Sequence, residues 1–243
     1  MSKIEWTDKT INPLGWGCYG PGGTAENPQI CAYCYSRRMS KGPYAPKCDL
    51  CRQFIPHWHE EQLYKPLHWK KPRKIFVQSM GDLLGDWVPE NQINAVLQIA
   101  NRCPQHIFQF LTKNTKRLKD FNPWLSNCHV GTTVTNQDDA DERLPWLLQV
   151  DAPVRFVSHE PLLGEISFRW AKWAPIHQGL NTEYEGIRGI HWAIIGAQTG
   201  PGAVRPEVDW VMNLAEQYRV AGVPLFLKDN LGFKDQPQEF PCA

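Results

Sequence analysis

The chain has 243 residues, a length that suits one large α/β domain or two small ones and buries a core without disulfide staples. Its 26 basic and 25 acidic residues leave a net charge of +1, which excludes a strongly basic nucleic-acid coat but not a local basic groove. No apolar run approaches the roughly 18 residues of a membrane span, and MSKIEWTDKTINP lacks the apolar stretch of a signal peptide, so a cytoplasmic protein with no membrane partner is expected.

In that compartment eight cysteines read first as thiols, metal ligands or catalysts. Residues 1–73 hold five of them, Cys18, Cys31, Cys34, Cys48 and Cys51, among many Gly, Pro and aromatic residues. This part reads as a cysteine-rich metal-binding loop region with one short helix after Cys34 (YSRRMSK). From residue 74 short apolar runs recur: KIFVQSM, HIFQFLT, HVGTTVT, VRFVSHE, HWAIIGA and VPLFLKD. Each is rich in β-formers and apolar on both faces, as buried parallel strands are.

Helices are predicted between them over 89–102, 138–149 and 206–220. The first places Ile93, Val96, Leu97 and Ala100 on one face with Pro89 in its first turn, and Gly222 stops the last. Alternating strands and helices predict βα units and a parallel sheet. Six strands fit an open, partial (β/α)6 barrel over 74–243, within one domain spanning 1–243. In such folds sites form at the carboxyl ends of strands. Here those ends are polar: 78–82 (QSMGD), Thr112-Lys113, 133–136 (TVTN), Ser158-His159-Glu160, 196–199 (GAQT) and Lys228-Asp229-Asn230.

The cysteines allow several ligand sets. Cys18 and the C-x-x-C of Cys31 and Cys34, separated by twelve intervening residues, supply three thiolates that can hold a four-iron cluster with one iron open. Cys31, Cys34, Cys48 and Cys51 form two C-x-x-C pairs that can also be a zinc ribbon. Cys48, Cys51, His57 and His59 form a third set, C-x2-C-x5-H-x-H, suited to tetrahedral zinc. Spacing alone leaves these open. Cys103, Cys128 and Cys242 are isolated and read as buried or bystander thiols.

The runs Ile4-Glu5-Trp6-Thr7, Asn12-Pro13, Trp16-Gly17-Cys18 and Cys31-Ala32-Tyr33-Cys34-Tyr35 resemble a phage and bacterial three-cysteine protein family. The runs 79–84, 108–113, 158–163, 194–199 and 224–230 resemble it too. That family looks like a branch of the radical S-adenosylmethionine (SAM) superfamily and is distantly similar to spore photoproduct lyase. The resemblance implies a partial (β/α)6 barrel and a [4Fe–4S] cluster on Cys18, Cys31 and Cys34, whose open iron binds SAM. It also implies an electron donor protein, cleavage of SAM to a 5′-deoxyadenosyl radical, and host cytoplasm if the chain is phage-encoded.

By the same resemblance Met80, Gly81 and Asp82 receive the SAM amino group. Thr133, Thr135, Ser158 and Glu160 lie near the ribose or carboxylate, and Gln198, within 196–199, near the adenine. The twelve-residue gap after Cys18 exceeds the usual three, and Gly20, Gly22 and Gly23 let the loop fold back.

Lys113, Glu160 and Lys228 are the candidate catalytic residues: the lysines can neutralise phosphate or carboxylate, or simply pair with a nearby acid. The segments 57–74 (HWHEEQLYKPLHWKKPRK) and 168–173 (FRWAKW) interleave cations with aromatics, as a nucleic-acid groove does and as a loop packed on the barrel also does. The leading expectation is a radical SAM enzyme acting on a nucleotide, nucleobase or nucleic acid. The alternative is a zinc-stabilised nucleic-acid-binding module without SAM chemistry.

Overall fold

The computed structural model describes residues 4–43, 45–169, 171 and 184–241; Trp170, Trp173 and Cys242 lie outside them. Seven parallel strands form one sheet in sequential order, curled into a half-barrel. They are β1 (Lys9–Ile11), β2 (Lys74–Val77), β3 (Ile107–Thr112), β4 (Cys128–Thr133), β5 (Val154–His159), β6 (Trp192–Ile195) and β7 (Leu225–Leu227). The six apolar runs each supply one strand, β2 to β7. The seventh, β1, falls inside the segment read as loop: it pairs Lys9, Thr10 and Ile11 with Ile75, Phe76 and Val77. Three residues with one fully buried side chain are too few to carry a periodicity. The cysteine-rich segment therefore contributes a strand to the sheet it caps.

The predicted helices form close to their expected bounds. They are α1 (Tyr35–Ser40), α4 (Glu90–Arg102), α5 (Gln137–Leu147) and α6 (Val208–Val220); two short helices, α2 (Asp49–Gln53) and α3 (Glu60–Leu63), form in addition inside the segment read as loop. Pro89 caps α4 from outside the helix rather than occupying its first turn, and Ile99 takes the deep position assigned to Leu97. After α6, Gly222 adopts φ +70°, and Val223 N–H returns to the Tyr218 carbonyl at 2.9 Å. That left-handed residue is what ends the helix.

Strand alternation sorts side chains between two cores. Ile75, Val77, Phe108, Phe110, Val130, Val157 and Ile195 pack on the helix side with Ile93, Val96, Leu144, Leu214 and Tyr218. The intervening residues Phe76, Phe156, Trp192, Ile194 and Phe226 face the concave side, where Trp6 completes their cluster. The Trp6 ring, 1% exposed, lies 4.7 Å from Phe76, 6.0 Å from Phe156 and 6.1 Å from Trp192. An open half-barrel leaves its concave floor uncovered by helices, and this tryptophan fills it. The free edge of β7 is covered too: Leu227 N–H donates to the Pro237 carbonyl and Glu239 N–H to that of Leu225.

Trp6→Ala is expected to cost about 3–5 kcal/mol through the cavity it opens, with Trp6→Phe losing much less, read by urea unfolding. His159, wholly buried, contacts the Val134 carbonyl through Nδ1 and the Tyr218 hydroxyl through Nε2, each at 2.8 Å. Burial pushes its pKa down to about 4 from 6.5. Because the unfolded chain binds this proton more readily, its contribution to stability is complete above pH 6.5 and is lost as pH falls toward 4. An NMR titration is expected to find the His159 ring neutral at pH 6.5 and to place its midpoint near 4.

Candidate metal centre and polar rim

Period-two alternation carries the concave face upward from its aromatic floor. Beyond Leu111, Gly131, Phe156, Ile194 and Phe226, the same parity brings Lys113, Thr133, Ser158, Gly196 and Lys228 to the carboxyl-end rim. Thr135 and Glu160 follow on the same parity. The rim is where the sequence placed its polar candidates. At one side Lys228, with its side chain 9% exposed, contacts the Glu160 carboxylate and lies 3.7 Å from Glu5. Gly196 borders this trio, since a Cβ there would sit 2.9 Å from Lys228 Cδ and 3.3 Å from Glu160 Cγ. The Asn230 side chain grips both the N–H and the carbonyl of Ala197.

Other rim candidates have protein partners. Asp82 accepts from the Thr112 hydroxyl at 2.7 Å, from Asn114 Nδ2 at 3.0 Å and from the N–H groups of Leu84 and Lys113 at 3.0 Å. It ties the turn after β2 to the end of β3. Thr135 donates to Asp139 at 2.6 Å, and the Thr133 carbonyl accepts from Arg143 at 2.7 Å. Gln198 accepts from Val204 N–H at 3.2 Å, closing its own turn. Met80 N–H donates to Asn12 Oδ1 at 2.9 Å.

The cysteine cap is fixed to this rim at several points. Gln78, 1% exposed and at φ +60°, accepts from Leu14 N–H at 2.9 Å and donates to the Gly15 carbonyl at 2.8 Å. Gly17 pairs with Gly81 in an isolated parallel bridge, which sets Cys18 beside the Met80-Gly81 turn. The predicted fold-back of the next loop occurs: Gly20 sits at φ +79°, and Gln29 N–H donates to the Tyr19 carbonyl at 2.6 Å. That contact returns the chain to Cys31 and Cys34. Cys34 then caps α1, its sulfur accepting from Arg37 N–H at 3.4 Å. Helix α1 reaches across the mouth. The Tyr35 hydroxyl and Ser36 Oγ donate to the Ser79 carbonyl beyond β2, and Arg38 donates to the Thr199 carbonyl beyond β6 at 2.7 Å.

Cys18, Cys31 and Cys34 are all partly buried in this cap. Burial pushes the Cys18 thiol up to about 12, aided by Asp82, and burial raises Cys34 as well. As free thiols Cys18 and Cys34 hold their protons; a cationic centre would displace them. Lys113 faces the group, its Nζ 5.5 Å from the Tyr33 ring centroid. Burial works against the Lys113 charge, yet Tyr33, Cys31 and Asp82 outweigh it and its pKa is raised. An open groove of about 280 Å³ is lined by Cys31, Cys34, Arg37, Arg38 and Lys41 among others.

A second centre lies beside the cap. The ligand atoms of Cys48, Cys51, His57 and His59 all lie within 4.8 Å of one another. Cys48 Sγ is 3.1 Å and Cys51 Sγ 3.7 Å from His57 Nε2, and Cys51 Sγ is 3.4 Å from His59 Nε2. His57 Nδ1 lies 2.8 Å from the Ile55 carbonyl and His59 Nδ1 2.8 Å from Glu61. With each Nδ1 proton so engaged, the two Nε2 atoms, 2.6 Å apart, turn their lone pairs toward each other and toward the sulfurs. That arrangement suits a cation between them. A carbonyl or carboxylate behind each ligating imidazole is the usual support of a metal-bound histidine.

The set can hold one metal ion, and two thiolates with two imidazoles match zinc. Among the described residues Cys31 and Cys34 do not converge with Cys48 and Cys51, so the zinc-ribbon set is replaced by the Cys2His2 set. Within the segment 57–74, Lys65, His68, Lys70 and Lys71 are exposed. His57 and His59 face the centre, while Trp58, Leu67 and Trp69 pack on the core. Sequence reasoning missed Asn12, Gln78 and Arg38 as cap anchors; only the left-handed backbone at Gln78 gives that residue its reach, and no residue-type pattern announces it.

A parallel half-barrel with a cysteine-rich cap, beside which a Cys2His2 cluster could hold a metal ion, defines an α/β protein with a candidate metal centre. The chain belongs to the family described as a protein of unknown function (DUF5131), whose model matches residues 1–239. No curated protein and no solved structure matches it significantly. No helix among the described residues is long and apolar enough to cross a membrane.

Purified protein is expected to carry about one zinc per chain, reduced severalfold in Cys51→Ser, as measured by elemental analysis.

Proposed function

We propose that the protein is a radical SAM enzyme that carries a [4Fe–4S] cluster on Cys18, Cys31 and Cys34 and acts on a nucleotide, nucleobase or nucleic acid. The observation that carries this reading is the cap. Three cysteines are suspended over the carboxyl rim of a parallel half-barrel, tied down at the ends of β2 and β6. Three ligands leave one iron of a cubane free for a cofactor, and when bound the group supplies reductive cleavage of SAM and hydrogen abstraction. The remaining work falls to this chain. Lys113 places a cation opposite the thiolates and offsets their charge. Glu160, ion-paired to Lys228, is held as an oriented carboxylate at the rim, where it can accept from an amino group or hydroxyl. Thr133 and Ser158, on the same face, line the wall between them. The exposed Arg37, Arg38 and Lys41 beside the cap cysteines offer cations to a phosphate-bearing substrate. An electron donor protein would supply the reductant.

The Cys2His2 centre favours the zinc component of a second reading, a zinc-stabilised nucleic-acid-binding module, and is equally compatible with the first.

Protein prepared without oxygen is expected to hold about four irons and four sulfides per chain, lost in Cys18→Ala, and to cleave SAM under reduction. Zinc alone, with no iron or sulfide after reconstitution, would overturn the radical reading and leave the binding module.

A further inference from the structure

Residues 12–18 run between two walls. The inner wall is the end of β2, where Gln78, Met80 and Gly81 hold Asn12, Leu14, Gly15 and Gly17. The outer wall is the segment 55–59, which carries both imidazoles of the Cys2His2 set. His57 N–H donates to the Leu14 carbonyl at 3.2 Å, and His59 N–H to that of Pro13 at 2.6 Å. Gly15 lies flat on the rings, since a Cβ there would meet His57 Cε1 and His59 Cδ2 at 2.8 Å each. At Gly17 a Cβ would lie 2.3 Å from Pro56 N. Trp16 N–H donates to Cys51 Sγ at 3.3 Å, a bond that strengthens when the sulfur is a metal-bound thiolate. Cys18 is the next residue after this clasp.

Besides these contacts the outer wall is held by Trp58, which packs on the core, and by the buried Phe54. Helix α2 has five residues, too short to persist alone, and between 48 and 59 only Cys51 and Phe54 are buried. Four protein ligands leave zinc no open position, the mark of a structural rather than a catalytic ion.

We infer that zinc on Cys48, Cys51, His57 and His59 clamps the 12–18 loop against the end of β2, so that the position of Cys18 depends on a metal bound at a separate centre. This goes beyond the proposed function and does not rest on it: the clamp operates whether or not Cys18 carries iron.

The test uses full-length, iron-free protein with zinc bound. Cys18 alkylation by iodoacetamide is followed by peptide mass spectrometry, with the core thiols Cys103 and Cys128 as internal controls of folding. Removing zinc with a chelator, or His59→Ala, is expected to speed Cys18 modification roughly tenfold while the core thiols stay protected. Returning zinc to the stripped wild type is expected to restore protection, which keeps the test valid if His59→Ala fails to fold. Cobalt in place of zinc is expected to show the ligand-field bands of a tetrahedral S2N2 site. An unchanged Cys18 rate on zinc loss overturns the clamp, and failure to bind zinc or cobalt overturns the site. Neither result depends on iron, so the radical reading stands or falls on its own measurement.

Discussion

The amide of Gln78 is buried where β2 ends, and it bonds to the backbone of a segment more than sixty residues earlier in the chain. Its backbone takes a left-handed conformation that a side chain with a Cβ adopts at some energetic cost. That strained turn aims the amide at Leu14 and Gly15, where two buried peptide groups would otherwise lack partners. This contact anchors the inner side of the loop, as the segment carrying the two imidazoles flanks its outer side. It sets the register of the loop to Cys18, places Gly17 against Gly81, and fixes which face of the loop the two imidazoles meet.

The barrel itself follows a simpler logic. Its strands alternate between a helix-covered face and a concave face, and the concave face needs filling because the sheet does not close on itself. Aromatic rings from four strands and from Trp6 form a dry floor. Above that floor the same positions turn polar: Lys113, Thr133, Ser158 and Lys228. A hydrophobic base under a polar rim concentrates charge where water is partly excluded, and ion pairs such as Lys228 with Glu160 are held there at fixed orientation. Asp82 shows the complementary use of a rim carboxylate. Its oxygens are occupied by Thr112, Lys113 and Asn114, so it works as a brace between neighbouring strand ends.

Much of this arrangement was legible in the residues. Runs such as KIFV and WAII are apolar on both faces, as strands buried between a helix layer and an aromatic floor are, and all six predicted strands form. The Cys2His2 spacing was legible as one ligand set among three, because H-x-H can converge only if the chain turns both rings to one side. The turn that does so is set by Leu14 and Pro13, distant in sequence, and no local pattern records it. Strand β1 escaped for a related reason: its three residues gain their order from pairing with β2, not from their own periodicity. The tie from Arg38 to Thr199 was equally hidden, since an exposed arginine in a short helix looks like solvated charge until the barrel mouth is folded beneath it.

The strip of chain over β7 carries a consequence for the solution behaviour of the molecule. A parallel sheet with an uncovered terminal strand presents a row of unmatched amide and carbonyl groups, which is a template for another copy. Residues 237–239 occupy that row, and Glu239 adds its carboxylate to the Leu225 N–H at 2.8 Å. The short tail therefore acts as a selvage, finishing the woven edge so that it does not run on into the next molecule.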